Sequence, residues 1–177
     1  MLIREIKELI TQQELVSLEL ADDDASEITG FFLSASKDLM TLQQINNDGR
    51  SDGFTLFEPD LISELFWGNR EHQCIKQLAR QKAQITPVLF KSTTFDKAII
   101  EISSRYHQIA LYTYDDGDNF EVARIVDHDD EWLKLESSGT PKTLSTLNKL
   151  IRLDSICRVE FDSNYLNDLA HLYEHPL

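Results

Sequence analysis

The sequence predicts an α+β protein that is mainly β, built as two tandem five-stranded small barrels, each with an N-terminal and a C-terminal helix. Three observations lead to this fold class. Apolar residues at helical spacing are followed by short runs of β-forming residues. The same order of elements occurs twice in the 177 residues. Gly30 lies inside the second strand of the first half, where a missing side chain permits a sharp bend.

The repeat emerges when the chain is shifted by 93 residues and compared with itself, an approach suited to finding duplicated units. After the loop that follows the third strand the offset becomes 94, which corresponds to a one-residue insertion. Matching pairs include Val16 and Ile109, Leu18 and Leu111, Asp60 and Asp154, Ile62 and Ile156, and Trp67 and Phe161. We therefore expect a duplicated unit, with one copy in residues 1–85 and the other in residues 89–177.

Each half begins and ends with a predicted amphipathic helix. Ile6, Leu9 and Ile99 belong to apolar stripes at helical spacing. Thr94 and Ser163 are expected N-caps, since a hydroxyl can accept a hydrogen bond from the first turn. The predicted helices cover about 2–10, 70–84, 95–106 and 164–173.

Five short strands lie between the helices of each half. Aspartate and glycine clusters separate them and favour tight turns. In the first half the predicted strands are 15–20, 27–35, 39–45, 54–57 and 61–67. In the second half they are 107–114, 120–126, 132–135, 148–153 and 155–161. Five bent antiparallel strands after a helix predict a small, partly open barrel.

Charge and composition restrict the function classes. The net charge is −14, and each half contributes −7, from 8 basic and 15 acidic residues before residue 89 and 9 and 16 after it. Such a balance opposes a broad nucleic-acid footprint, which needs clustered lysine and arginine. No apolar run has the length of a membrane span. Two distant cysteines, Cys74 and Cys157, favour the reducing cytoplasm.

Each unit resembles an Sm-like small β-barrel, as found in uncharacterised bacterial proteins. Residues 150–156, which read Leu-Ile-Arg-Leu-Asp-Ser-Ile, are similar to the second Sm motif, although Leu153 replaces its glycine. In the first Sm motif the RNA-base pocket uses an aspartate and a Met-Asn pair. Thr41 stands where asparagine is expected after Met40, and the second unit has neither residue. The resemblance therefore implies a fold, while most RNA contacts do not carry over.

No catalytic, metal-binding or cofactor-binding set is predicted. His171 and His175 have the spacing of an H-x-x-E-H zinc motif, but they stand at the C-terminal end of the chain with no third ligand after them. Residues 127–131 are rich in ligand side chains but lack the spacing of a calcium loop, so an ordinary turn is expected. Neither cysteine has a base at a suitable spacing.

The most favoured function is a non-catalytic, acidic protein–protein interaction module with an unknown protein partner. One form of it is an inhibitor or immunity protein against a basic partner. The alternative is an Sm-like RNA-binding protein, whose local basic patch would consist of Lys134, Lys149, Arg152 and Arg158. Nucleic acid and membranes are not expected partners. Four aromatic residues, Phe66, Trp67, Trp132 and Phe161, are expected to pack in the core or between the units, and the chain is expected to be a monomer or homodimer.

Overall fold

The computed structural model describes residues 1–21, 27–88, 90–114, 120–138 and 146–175. Four α-helices are described: α1 (Leu2–Gln12), α2 (Arg70–Lys82), α3 (Phe95–Ser103) and α4 (Asn164–Glu174). The first half has strands β1 (Val16–Leu20), β2 (Glu27–Ala35), β3 (Met40–Ile45), β4 (Ser51–Phe57) and β5 (Ile62–Trp67). The second half has β6 (Ile109–Thr113), β7 (Phe120–His128), β8 (Trp132–Ser138), β9 (Thr146–Arg152) and β10 (Ile156–Phe161). These bounds confirm the predicted type and order of elements.

The ten strands form one open antiparallel sheet, so the prediction of two tandem five-stranded small barrels is wrong. The strand order is β5-β1-β2-β3-β4-β10-β6-β7-β8-β9. The free side of β4 does not pair with a strand of its own half. It pairs with β10, where Phe54 lies opposite Phe161 and Phe57 lies opposite Arg158, and we call this β4–β10 pairing the joint between the halves. Because these backbone hydrogen bonds join the halves, the sheet continues through the joint and β5 and β9 form its outer edges.

Each half has the same strand order, and its second strand is irregular at the same place. Register shifts occur in β2 between Phe32 and Ser34, and in β7 between Ile125 and Asp127. A bulge of this kind bends a strand and increases its twist. At Gly30 an added Cβ would lie 2.1 Å from the carbonyl oxygen of Gln43, so only glycine fits this approach of β2 to β3.

Helices cover both faces of the sheet. We define face A as the side that carries Leu42 and Phe57, and face B as the side that carries Leu56 and Val159, as the strand registers require. Apolar residues of α1 and α4 pack on face A, and those of α2 and α3 pack on face B. Both large clusters contain residues of the two halves, so the halves share their core.

Local sequence signals account for several helix and packing details. The Ser163 hydroxyl accepts a hydrogen bond from the Leu166 N–H, as expected of an N-cap, whereas Thr94 occupies the N-cap of α3 without such a bond. Phe161 is buried and stacks on Phe54 across the joint at a centroid distance of 5.4 Å. Packing in the core was predicted for the tryptophans as well, but Trp67 and Trp132 are 41% and 38% exposed.

Candidate functional site

The four basic residues of the predicted patch do not form one surface. Lys134 is exposed on β8, on the same face of the sheet as Arg152, whereas Lys149 is paired opposite Leu135 and points to the other face. Arg158 is on β10, three strands from β8 and four strands from β9, and is only 2% exposed.

Lys149 and Arg152 are engaged in ion pairs. Lys149 Nζ donates to a carboxylate oxygen of Glu121. The Arg152 guanidinium donates two hydrogen bonds to Asp154, at 2.9 and 2.7 Å, and lies 5.6 Å from the centre of the Trp132 ring. The paired guanidinium holds the pKa of Asp154 below its usual value. Each bonded carboxylate reduces the positive potential that a phosphate would experience.

Residues 127–131 and the histidines at the end of α4, which were considered as metal ligands, make contacts with their own neighbours in the chain. Asp129 accepts hydrogen bonds from the N–H groups of Glu131 and Trp132, which lower the pKa of its carboxyl and close the turn between β7 and β8. At the end of α4 the rings of His171 and His175 are in contact, with centroids 4.4 Å apart and planes tilted by 31°. Within the described residues, no three ligand side chains of histidine, cysteine, aspartate or glutamate come together as a metal site would require.

A buried polar chain connects α2 to the sheet. His72 Nε2 lies 3.0 Å from Ser17 Oγ, which lies 2.8 Å from Thr29 Oγ1. A serine beside a histidine is the pairing used in nucleophilic catalysis. Ser17 and His72 are 1% and 3% exposed, however, so no substrate reaches the hydroxyl in this conformation. We interpret the pair as a structural contact that holds α2 on face B.

Two other carboxyl groups have shifted pKa values. Burial, together with the negative charges of Asp96, Asp60 and Asp38, raises the pKa of Glu58. At Glu101 the cost of burial is outweighed by hydrogen bonds from Lys91 N–H, Ser92 N–H and the Ser92 hydroxyl, and by the charge of Arg105, so the pKa of its carboxyl is lowered. Glu101 thereby ties the segment that precedes α3 to the helix itself.

A concave feature with a volume of about 670 Å³ lies at the joint between the halves. We call it the joint cleft. Its size is within the range of natural ligand sites. Strands β2, β3 and β4 contribute one wall, with the β3–β4 loop, and β6, β7 and β10 contribute the other. The lining residues used below are Glu27, Asp48, Asp52, Tyr112, Phe120, Arg158 and Glu160.

Negative groups outnumber positive ones in the joint cleft. Four of its described lining residues are carboxylates, and Arg158 is the one cation among them. The Arg158 guanidinium carbon lies 3.7 Å from the centre of the Tyr112 ring. On the same wall Glu160 accepts a hydrogen bond from the Gln44 side-chain amide at 3.0 Å, which links β10 to β3 across the joint.

The cleft escaped prediction because its two walls are far apart in sequence. Gln44 and Glu160 are 116 residues apart, and they meet only because β4 pairs with β10. No signal in the sequence connects these residues: three of the four carboxylates belong to the first half, and Glu160 belongs to the second.

No family model, curated protein or solved structure matches this chain. The resemblance to Sm-like proteins accordingly stays a hypothesis. No helix in the described part of the chain is long and apolar enough to cross a membrane.

Proposed function

We propose that this protein is a non-catalytic binding module that takes a basic segment of a partner protein into the joint cleft. One observation carries the proposal: Glu27, Asp48, Asp52 and Glu160 surround a single concavity to which both halves contribute. A cationic side chain that enters is attracted by several carboxylates at once. Because the carboxylates face one concavity, their attractions add at a cation inside it, whereas an isolated surface carboxylate acts alone.

The charge of the whole chain acts in the same direction. A net charge of −14 attracts a basic partner over a distance of about one Debye length, roughly 10 Å at moderate salt, and so raises its association rate. Short-range contacts in the cleft then add specificity. An inhibitor or immunity role against a basic partner would be one use of such a module.

The RNA-binding alternative receives less support from the same geometry. Its four candidate residues are divided between two faces and the interior, and Lys149 and Arg152 are in ion pairs. Phosphate affinity depends on several cations acting along one path.

The test uses a short fluorescent peptide that contains several arginines and lysines, titrated with the full chain at about 20 mM and about 300 mM NaCl. We expect binding at low salt that weakens strongly at high salt. The joint-cleft variant combines Glu27→Gln, Asp48→Asn and Asp52→Asn. It should lose most of the affinity, because it removes three carboxylates from the cleft.

The matched control makes the same change in net charge outside the cleft. Glu8→Gln, Glu64→Gln and Asp130→Asn alter exposed residues that do not line it. If the control variant loses as much affinity as the cleft variant, the attraction is a property of the whole surface and the proposed site is wrong. If the unaltered chain binds no basic peptide at low salt, the proposed function itself is wrong.

The proposal also includes a cytoplasmic location, a monomeric or homodimeric state, and an origin of the halves 1–85 and 89–177 from one duplicated unit. The shared strand order of the halves supports the last of these. Cell fractionation and analytical ultracentrifugation would test the first two. A relative that consists of one half with this strand order would support duplication.

A further inference from the structure

An aromatic path leads out of the joint cleft toward solvent. Tyr112 lines the cleft and its ring centre is 5.4 Å from that of Phe120. Phe120 in turn makes an edge-to-face contact with Tyr165 of α4, with ring centres 6.4 Å apart and planes at 88°. Phe120 and Tyr165 are 45% and 44% exposed. Three contacting rings, two of them half exposed, leave aromatic surface available beside the carboxylates.

The first ring of this path already carries an arginine. The Arg158 guanidinium lies over Tyr112 at 3.7 Å, and Glu160, two residues along β10, points to the same face of the sheet. The interior of the cleft thus contains one complete guanidinium–ring contact with a carboxylate on the same wall. Phe120 presents the next ring of the path. Asp52 lies near the outer end of the path, because its carboxylate accepts a 3.4 Å hydrogen bond from the side chain of Asn164, the residue before Tyr165.

We infer that the joint cleft selects arginine over lysine in its basic partner, with a partner guanidinium stacked on the Phe120 ring, which Tyr165 contacts edge-to-face, and bonded to a cleft carboxylate. This inference rests on the proposed function and adds the identity of the recognised side chain. A guanidinium is planar, weakly hydrated and able to donate a paired hydrogen bond to a carboxylate while it stacks on a ring. An ammonium has the same charge but no flat face, so the aromatic path discriminates between them.

The experiment compares two short peptides of identical length and charge, one with arginine and one with lysine at every basic position. Each is titrated at low salt with the full chain. We expect an affinity about two- to five-fold higher for the arginine peptide, because both cations can contact a ring but only the guanidinium donates a paired hydrogen bond to a carboxylate while it stacks.

Phe120→Leu and Tyr165→Leu test the path itself, because leucine keeps apolar volume and removes the ring. Each variant should lose the preference for arginine and leave lysine-peptide affinity almost unchanged. Trp67→Leu is the matched control, since Trp67 is equally exposed but lies on the edge strand β5, at the far side of the sheet from β7. It should keep the full preference. Circular dichroism of each variant verifies that the fold persists.

The outcomes separate the two proposals. Equal affinity of the unaltered chain for both peptides overturns the arginine inference and leaves the proposed function in place. A preference that persists in both Phe120→Leu and Tyr165→Leu also overturns it, since other groups would then discriminate. Failure of both peptides to bind contradicts the proposed function as well.

Discussion

Replacing Gly53 by alanine tests the joint between the halves. Gly53 is buried in β4 at a φ of +88°, and a Cβ added there would lie 2.6 Å from the Ser163 N and 2.7 Å from the Phe161 carbonyl oxygen. These are backbone atoms of the last residue of β10 and of the N-cap of α4, so they cannot move without disturbing the end of the strand pairing that joins the halves. The chain also provides a comparison, because Gly68 has a φ of +83° and no atom within 4 Å of its added Cβ.

The two substitutions share one cost and differ in another. A left-handed backbone costs a non-glycine residue about 1–2 kcal/mol, which is the whole expected effect of Gly68→Ala. Gly53→Ala adds the steric cost of forcing an extra methyl group into a packed region, about 1–3 kcal/mol. We therefore expect losses of about 1–2 kcal/mol for Gly68→Ala and about 2–5 kcal/mol for Gly53→Ala.

Urea denaturation followed by tryptophan fluorescence measures both losses. With a slope of about 2 kcal/mol per molar urea, the midpoint should fall by about 0.5–1 M for Gly68→Ala and by about 1–2.5 M for Gly53→Ala. Equal shifts in the two variants would refute the reasoning, because they would mean that β4 and the end of β10 do not approach as closely as the joint requires.

Three further changes test contacts outside the cleft. Glu58→Gln should stabilise the fold at neutral pH by a few tenths of a kcal/mol, since it removes a charge that its three acidic neighbours repel. The pKa of Glu58 is raised in the folded state, so the protonated carboxyl favours folding below the unfolded-state pKa, and this contribution to stability is lost as pH rises through the folded-state pKa. The stability gained by Glu58→Gln should therefore vanish in urea titrations below about pH 4. Glu101→Gln should cost about 1 kcal/mol at pH 7, as charge-assisted hydrogen bonds become neutral ones. The pKa of Glu101 is lowered in the folded state, so its carboxylate stabilises the fold above the unfolded-state pKa, and this stabilisation disappears as pH falls through the folded-state pKa. A stability difference between Glu101→Gln and the unaltered chain that grows toward acidic pH would contradict this role of the carboxylate. The buried Gln43 side chain donates a hydrogen bond to the Gln84 carbonyl and accepts one from the Thr86 N–H, which anchors the segment after α2. Gln43→Leu should cost about 1–3 kcal/mol of stability and speed tryptic cleavage after Lys82. An unchanged cleavage rate would count against this anchoring role.

Local patterns identified most of the elements because helix and strand formation depend on neighbouring residues. The spacing of Ile6 and Leu9 marked α1, and the hydroxyl of Ser163 marked the start of α4. The exposure of Trp67 and Trp132 was not predictable in this way. Each tryptophan is in a strand as expected, but its burial depends on which strands and helices cover it.

The candidate site depended still more on tertiary contacts. Lys134, Lys149, Arg152 and Arg158 are close in sequence, and proximity in sequence favoured a common patch. Alternation along β9 sends Lys149 and Arg152 to opposite faces, and Arg158 packs on Tyr112 in the interior. Carboxylates that no motif connects, such as Asp48 and Glu160, line the same cleft instead.

The sequence by itself determined the strands, the helices, their order in each half and the equal acidic charge of the halves, since these follow from periodicity, turn chemistry and composition. Only the tertiary structure decided whether each half closes on itself. A strand edge has unsatisfied N–H and C=O groups, and either its own half or the other half can satisfy them. In this chain β4 pairs with β10, and that choice replaces two closed barrels with one open sheet and creates the acidic cleft at the joint.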